Sequence, residues 1–227
     1  MRKIFIGAML LLLMAPMLEA RRKRDKAGRI SDGVYQDKEY AFSLEMDEAW
    51  KVNIMKNEEQ LRLVFVEKNY QVPNDYTETP DFTKVPRLAV YVDTTSMSVY
   101  AFIDSLLSET FESDQKNDIR KEFEILTLSE SPEVKDIIPR GVNRTEISGE
   151  KAMIWSAQAK YVKEVPVSAS SSAAKRVYGE YGASIVGIKR GDRIYLFHLI
   201  CEWPYFEEIQ ADILGIINTI GWTDTEG

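Results

Sequence analysis

The chain has 227 residues, with 29 Lys/Arg, 36 Asp/Glu and a formal net charge of −7. An acidic surface repels phosphate backbones, which argues against a nucleic-acid partner. Cys201 is the single cysteine, so an internal disulfide, thiol–disulfide chemistry and cysteine-based zinc sites are excluded.

Arg2 and Lys3 precede an apolar run from Ile4 to Leu18, which ends near the small Ala20 before Arg21-Arg22-Lys23-Arg24. A charged start, a short apolar core and a small residue at the end are the parts of a secretory signal peptide. The run is 15 residues long and contains Pro16, whereas a bilayer core takes about 20 apolar residues. Residues 1–20 are therefore expected to be a signal peptide, 21–29 a basic flexible segment, and 30–227 one domain. The alternative is an uncleaved anchor, because basic residues after an apolar segment favour the cytoplasmic side. Arg21, Arg22, Lys23 and Arg24 can also make weak contact with an anionic membrane surface. No cysteine follows the run, so a bacterial lipid-anchored start is not expected. Residues 1–29 hold eight basic and two acidic residues, which leaves 21 basic and 34 acidic, a net of −13, in the domain. A domain of this length buries roughly 70% of its unfolded surface without staples.

Tyr40, Phe42, Leu44 and Met46 alternate with Ala41, Ser43 and Glu45, the period of a half-buried strand. Trp50, Val52 and Ile54 resume it after a turn at Asp47-Glu48. Leu61–Val66 is apolar at both parities except at Arg62. Leu88–Val92 and Ile194–Trp203 behave the same way, and strands apolar on both faces need cover on both. Asn69–Pro86, with Pro73, Pro80 and Pro86, reads as a loop. Val99, Phe102, Ile103, Leu106, Leu107 and Phe111 make one helical stripe, with Ser96 or Ser98 as its N-cap. A weaker helix follows through Ile119, Phe123 and Leu126. Strands are expected at 151–162 and 178–189, separated by the Ser/Ala run of Pro166–Ala174. Arg190-Gly191-Asp192-Arg193 is a turn that makes a hairpin of the last two strands. A final helix opens at Pro204, buries Phe206, Ile209, Ile213, Ile216, Ile217 and Ile220, and stops at Gly221. The order of elements predicts an α+β fold, a mostly antiparallel sheet sandwiched between helices in three α/β/α layers.

Tyr40-Ala41-Phe42-Ser43-Leu44 followed by Trp50-Lys51-Val52 resembles the opening of PsbP-like domains, a Y-x-F-S-L segment, a short turn and then W-x-V. The strand Ile194–Cys201 and a last helix ending near Trp222 resemble how those domains close. The likeness covers most of 34–223 as a pattern, and about eight residues match closely. It implies the PsbP/DcrB-type fold, an antiparallel sheet between helices. The matching residues are core aromatics and aliphatics, so no metal- or partner-binding residue is carried over.

Candidate chemistry is sparse. His198, the only histidine, lies in an apolar strand on the face of Leu196 and Ile200, the setting of a core imidazole rather than a general base. Cys201 shares the other parity with Phe197 and Leu199 and reads as an inert buried thiol. No phosphate loop, G-x-S-x-G elbow, HExxH or calcium loop occurs, so no metal and no cofactor is implied. Asn143-Arg144-Thr145 is a glycosylation sequon with meaning only in a eukaryotic secretory route. Tyr161, Tyr178, Tyr181 and Tyr195 fall on strands of the second half, where outward rings would make a recognition surface. The leading expectation is an exported, non-catalytic accessory or binding protein of the cell envelope, partnered by an envelope or membrane assembly. Its alternatives are a small-ligand module with a pocket between sheet and helix under Asn69–Pro86, and an enzyme using carboxylates and tyrosines.

Overall fold

In the computed structural model, residues 28–56, 58, 60–68, 86–107, 133–166 and 174–223 are described. A short sheet comes first. β1 (Arg29–Ser31), β2 (Val34–Asp37) and β3 (Phe42–Glu45) pair antiparallel, and β11 (Gly221–Trp222) returns from the other end of the chain to flank β3. The larger sheet holds β4 (Trp50–Ile54), β5 (Leu61–Glu67), β6 (Arg87–Thr94), β7 (Glu133–Ile147), β8 (Glu150–Pro166), β9 (Ala174–Arg190) and β10 (Arg193–Glu202). Its order is β4-β5-β6-β10-β9-β8-β7, with every neighbouring pair antiparallel. Two short helices complete the described elements, α1 (Val99–Leu107) and α2 (Phe206–Asn218). The protein is thus mostly antiparallel β with a minor helical part.

The tight turns follow from local chemistry. Asp32-Gly33 joins β1 to β2 with φ of 52° and 73°, and Ser148-Gly149 joins β7 to β8 with 49° and 80°. Two left-handed residues in succession twist a two-residue turn to suit its strands, and glycine takes the second place without a Cβ clash. The expected Arg190–Arg193 turn joins β9 to β10.

Strands β5, β6 and β10 are apolar on both faces, and each face meets a different partner. Leu63, Phe65, Leu88, Val90, Phe197 and Leu199 pack with Ile209, Ile213, Ile216 and Ile217 of α2 and with Tyr35, Phe42 and Leu44 of the short sheet. Val64, Ala89, Tyr91, Leu196 and Ile200 pack instead with Val99, Phe102, Ile103 and Leu106 of α1. A nine-residue helix is marginal alone. Four such side chains, each contributing about 1.5–3 kcal/mol when fully buried, hold it in place. The expectation of helical cover alone is corrected on the first face, where the short sheet shares the surface with α2.

Several boundaries also differ. Ser98, not Ser96, caps α1, its hydroxyl accepting the Ala101 N–H at 3.2 Å. Pro204 lies in a 3-10 turn, Trp203–Tyr205, that precedes α2. The helix ends at Asn218 with Thr219 as cap, so Gly221 belongs to β11 and is not the stop. Strand β7 had no counterpart in the sequence reading, because Pro139 and Gly141 break any alternation. It is the edge of its sheet, where a missing N–H costs nothing, and register shifts at Val134/Asp136 and Pro139/Gly141 absorb the irregularity. Phe111, the helix through Ile119, Phe123 and Leu126, residues 69–85 of the proline-rich loop, and 167–173 lie outside the described residues, as does the leader.

Gly182 is the point where β9 passes under α2. A Cβ there would stand 2.1 Å from the ring of Phe206. Gly182→Ala must displace the residue that anchors the start of α2, at an expected cost of about 1–3 kcal/mol. The check is a lower urea midpoint by circular dichroism with an unchanged m-value.

Candidate functional site

Arg62, the one charged residue in the apolar run of β5, sits at a bulge where the register with β6 shifts between Leu61 and Leu63. A bulge re-aims a side chain, and this one reaches the short sheet. Its Nε donates to Asp37 Oδ2 at 2.9 Å, and the two side chains are 5% and 0% exposed. The Tyr35 hydroxyl donates to the same oxygen at 2.7 Å. Asp37 Oδ1 accepts the backbone N–H groups of Glu39 and Tyr40, both at 3.0 Å. Four donors offset the desolvation of the buried carboxylate. Burial first, then the neighbouring Asp37, pushes the Tyr35 hydroxyl well above its ordinary pKa, so it stays a donor.

The bonds to Asp37 fix the chain at Tyr40, and Ala41 follows in a left-handed conformation at φ 55°. The Tyr40 ring carries two guanidinium groups, Arg62 at 4.7 Å from its centroid and Arg193 at 5.5 Å. Its carbonyl accepts the Tyr195 hydroxyl at 2.6 Å.

Beside Tyr40 opens a cleft of about 300 Å³, lined by Ala41, Arg190, Gly191, Asp192, Arg193, Tyr195 and Thr223. Both arginines are steadied by rings. Arg190 lies 5.0 Å from the centroid of Trp222, whose indole N–H donates to the Ser148 carbonyl at 3.1 Å. A stacked guanidinium commits its face and presents its N–H edge, the geometry that meets a carboxylate. Acidic groups share the site, because Asp192 lines it and Glu150 Oε1 is 3.6 Å from Arg190 Nε. The balanced charge suits a group that brings an acceptor and a donor together, and disfavours a polyanion. A second cleft of about 380 Å³, between β3 and α2, is lined by Glu45, Asp47 and Asp212 among others. Among the described residues no group of His, Cys, Asp and Glu is placed to hold a metal ion.

His198 and Cys201 are both core residues, 4% and 0% exposed, on opposite faces of β10. Burial, with the Arg87 charge second, pushes the imidazole down to about 3. Burial likewise pushes the Cys201 thiol far above its ordinary value. Neither is able to exchange a proton near neutral pH.

Of the four tyrosines, Tyr178 alone is seen to face outward, at 73% exposure. Tyr181 and Tyr195 are corrected from candidate surface to core, at 0% and 1%. Tyr195 reaches the arginine cleft only from beneath, while Tyr181 packs on the α1 face. The side chain of Tyr161 lies outside the described residues. The cleft itself was not foreseen. Its signal was the Arg-Gly-Asp-Arg turn, read for its backbone and not for its charges.

No family profile and no curated protein matches the chain. The structure is similar to the solution structure of cyanobacterial PsbP from Synechocystis sp. PCC 6803, with 7% identity and a TM-score of 0.43, covering 87% of this chain and 93% of that one. No role is carried across from it.

The buried imidazole has a measurable consequence. Between about pH 6.5 and 3 the unfolded chain takes up a proton that the folded chain refuses. The contribution is therefore full above the unfolded value and falls with acidification, by roughly 1 kcal/mol per pH unit. His198→Leu removes that titration, so its urea midpoints should fall less steeply than the parent's between about pH 6 and 4. Equal slopes in the two proteins would contradict the assignment.

Proposed function

We propose that this chain is an exported, non-catalytic accessory protein of the cell envelope, and that it works by binding. The observation that carries this reading is the sealing of its two most reactive side chains, His198 and Cys201, in opposite faces of β10. What remains accessible at the arginine cleft is guanidinium, carboxylate and backbone, chemistry that holds a partner without transforming it. The leader-like residues 1–20, followed by a basic segment at 21–29 and a single domain at 30–227, support export. No helix among the described residues is long and apolar enough to cross a membrane. The three-layer arrangement, with α1 and α2 on opposite faces of the large sheet, belongs to this reading. Its partner would be an envelope or membrane protein assembly.

Purification of the full-length chain from its own membranes, with N-terminal sequencing, tests this reading. The expected result is a mature start near Arg21 and a specific co-purifying protein. An intact Met1 on a protein that is only ever monomeric would overturn it.

A second reading, a small-ligand module, is favoured by the arginine cleft, in a different place from the pocket expected under Asn69–Pro86. Ligands with a carboxylate beside an amide or ammonium, such as amino acids and dipeptides, are the class to screen. Saturation at 100 times Kd adds about 2.7 kcal/mol of stability, which thermal shift detects readily. The rise in Tm should vanish in Arg193→Ala, and a rise that survives the substitution would place the ligand elsewhere.

A further inference from the structure

We infer that the second half of strand β7 pairs with the same strand of a second copy, joining two large sheets across a two-fold axis at Thr145. The inference goes beyond the accessory reading and does not depend on it. β7 is one edge of the large sheet, and an edge strand carries a row of N–H and C=O groups open to another strand. Its two halves differ. Pro139 and the register shifts at Val134/Asp136 and Pro139/Gly141 guard the first half, because prolines and bulges keep an edge from pairing. From Gly141 to Ile147 the register with β8 is unbroken and no proline occurs.

The hairpin turn decides which backbone groups point outward. Ile147 and Glu150 flank the two-residue Ser148-Gly149 turn, which makes them a hydrogen-bonded pair. Alternation along the strand then directs the backbone of Thr145 and Asn143 inward to β8, and that of Glu146, Arg144 and Val142 outward. All three outward residues are exposed, Val142 at 57%. Among the described residues only β8 pairs with β7.

Arg144 and Glu146 are opposite in charge, stand two apart and so share one face. In an antiparallel pairing centred on Thr145, Arg144 stands opposite the partner's Glu146, and Glu146 opposite the partner's Arg144. Both are hydrogen-bonded pairs, so the outward N–H and C=O groups of the two residues are satisfied. Between them Thr145 meets its own copy, a favourable cross-strand pair, as are the two ion pairs beside it. The Arg144 guanidinium lies 4.6 Å from the centroid of the Tyr100 ring. Stacking commits its face and leaves its N–H edge for a carboxylate.

Charges on an edge deter strands of other sequence. At this spacing the same charges complement their own copy, which selects a second copy over an unrelated extended segment. The ladder is short, so the dimer is weak and depends on concentration.

The test is Thr145→Cys in the full chain, expressed in its own cells and treated with a mild oxidant. Facing residues in a non-hydrogen-bonded pair lie within disulfide reach. Thr145 is only partly buried, so the fold tolerates the change, and the buried Cys201 does not compete. A disulfide-linked homodimer is expected on a non-reducing gel, with none from Asn53→Cys on β4, the opposite edge. Adding Glu146→Arg should lower the yield at least tenfold. Arg144→Glu together with Glu146→Arg should restore it, with thermal melts unchanged throughout. The chain with its own Thr145, extracted in detergent, should sediment as a monomer–dimer equilibrium that Glu146→Arg shifts to monomer. No dimer from a folded Thr145→Cys chain, a yield indifferent to Glu146→Arg, or no recovery on swapping the charges would overturn the pairing. Each of those results leaves co-purification of another protein, and with it the accessory reading, untouched.

Discussion

A buried carboxylate joins the two sheets, and much else is placed by it. Asp37 belongs to the short sheet and Arg62 to the large one, and the 2.9 Å contact between them lies in the core. Breaking such a pair by removing one partner costs about 3–5 kcal/mol, because the other charge is left uncompensated. That is a large share of the total stability of about 5–15 kcal/mol usual for a domain. The same carboxylate fixes the Tyr40 backbone, and Tyr40 in turn steadies Arg193 and receives the Tyr195 hydroxyl. The geometry of the arginine cleft is thus set by a group that does not line it.

The division of labour along β10 follows from its two parities. One face gives Tyr195, Phe197, Leu199 and Cys201 to the core shared with α2 and the short sheet. The other gives Ile194, Leu196 and Ile200 to the core of α1. A strand used in this way has no side left for solvent, so its histidine and cysteine are withdrawn from chemistry by position alone. Accessible polar groups appear only where the strand ends, at the Arg190–Arg193 turn. Accessible polar groups are left to the rims of the sheet because its middle is committed to packing.

Period and parity were the parts of this fold legible in the sequence. The strands at 61–66, 88–92 and 194–203 stood out as continuous apolar runs and α1 and α2 as periodic stripes, and burial of large side chains enforces both. Strand β7 was illegible for the opposite reason. As an edge it has few inward positions, and its irregularities are absorbed by bulges that leave no sequence pattern. Tyr195 lay in a strand already read as covered on both faces, whereas nothing in the pattern of residues 178–189 showed that the Tyr181 face is covered as well. Arg62 stood out as the single charge in the apolar run Leu61–Val66 of β5. Its partner, 25 residues away in another sheet, is a tertiary fact that no local pattern encodes.

The central pairing of the large sheet joins distant parts of the chain. Val92 of β6 lies opposite Tyr195 of β10, and among the described residues β10 is what joins β4, β5 and β6 to the rest of the sheet. During synthesis those three strands can form only a meander with one bare edge until residues near 200 have emerged. The short sheet waits longer still, because β11 closes it from residues 221–222. Non-local pairing of this kind pays its loop-closure entropy before any contact rewards it, and slows folding. Strands β4 to β6 are therefore committed to their place by residues 193–202, and the short sheet by residues 221–222.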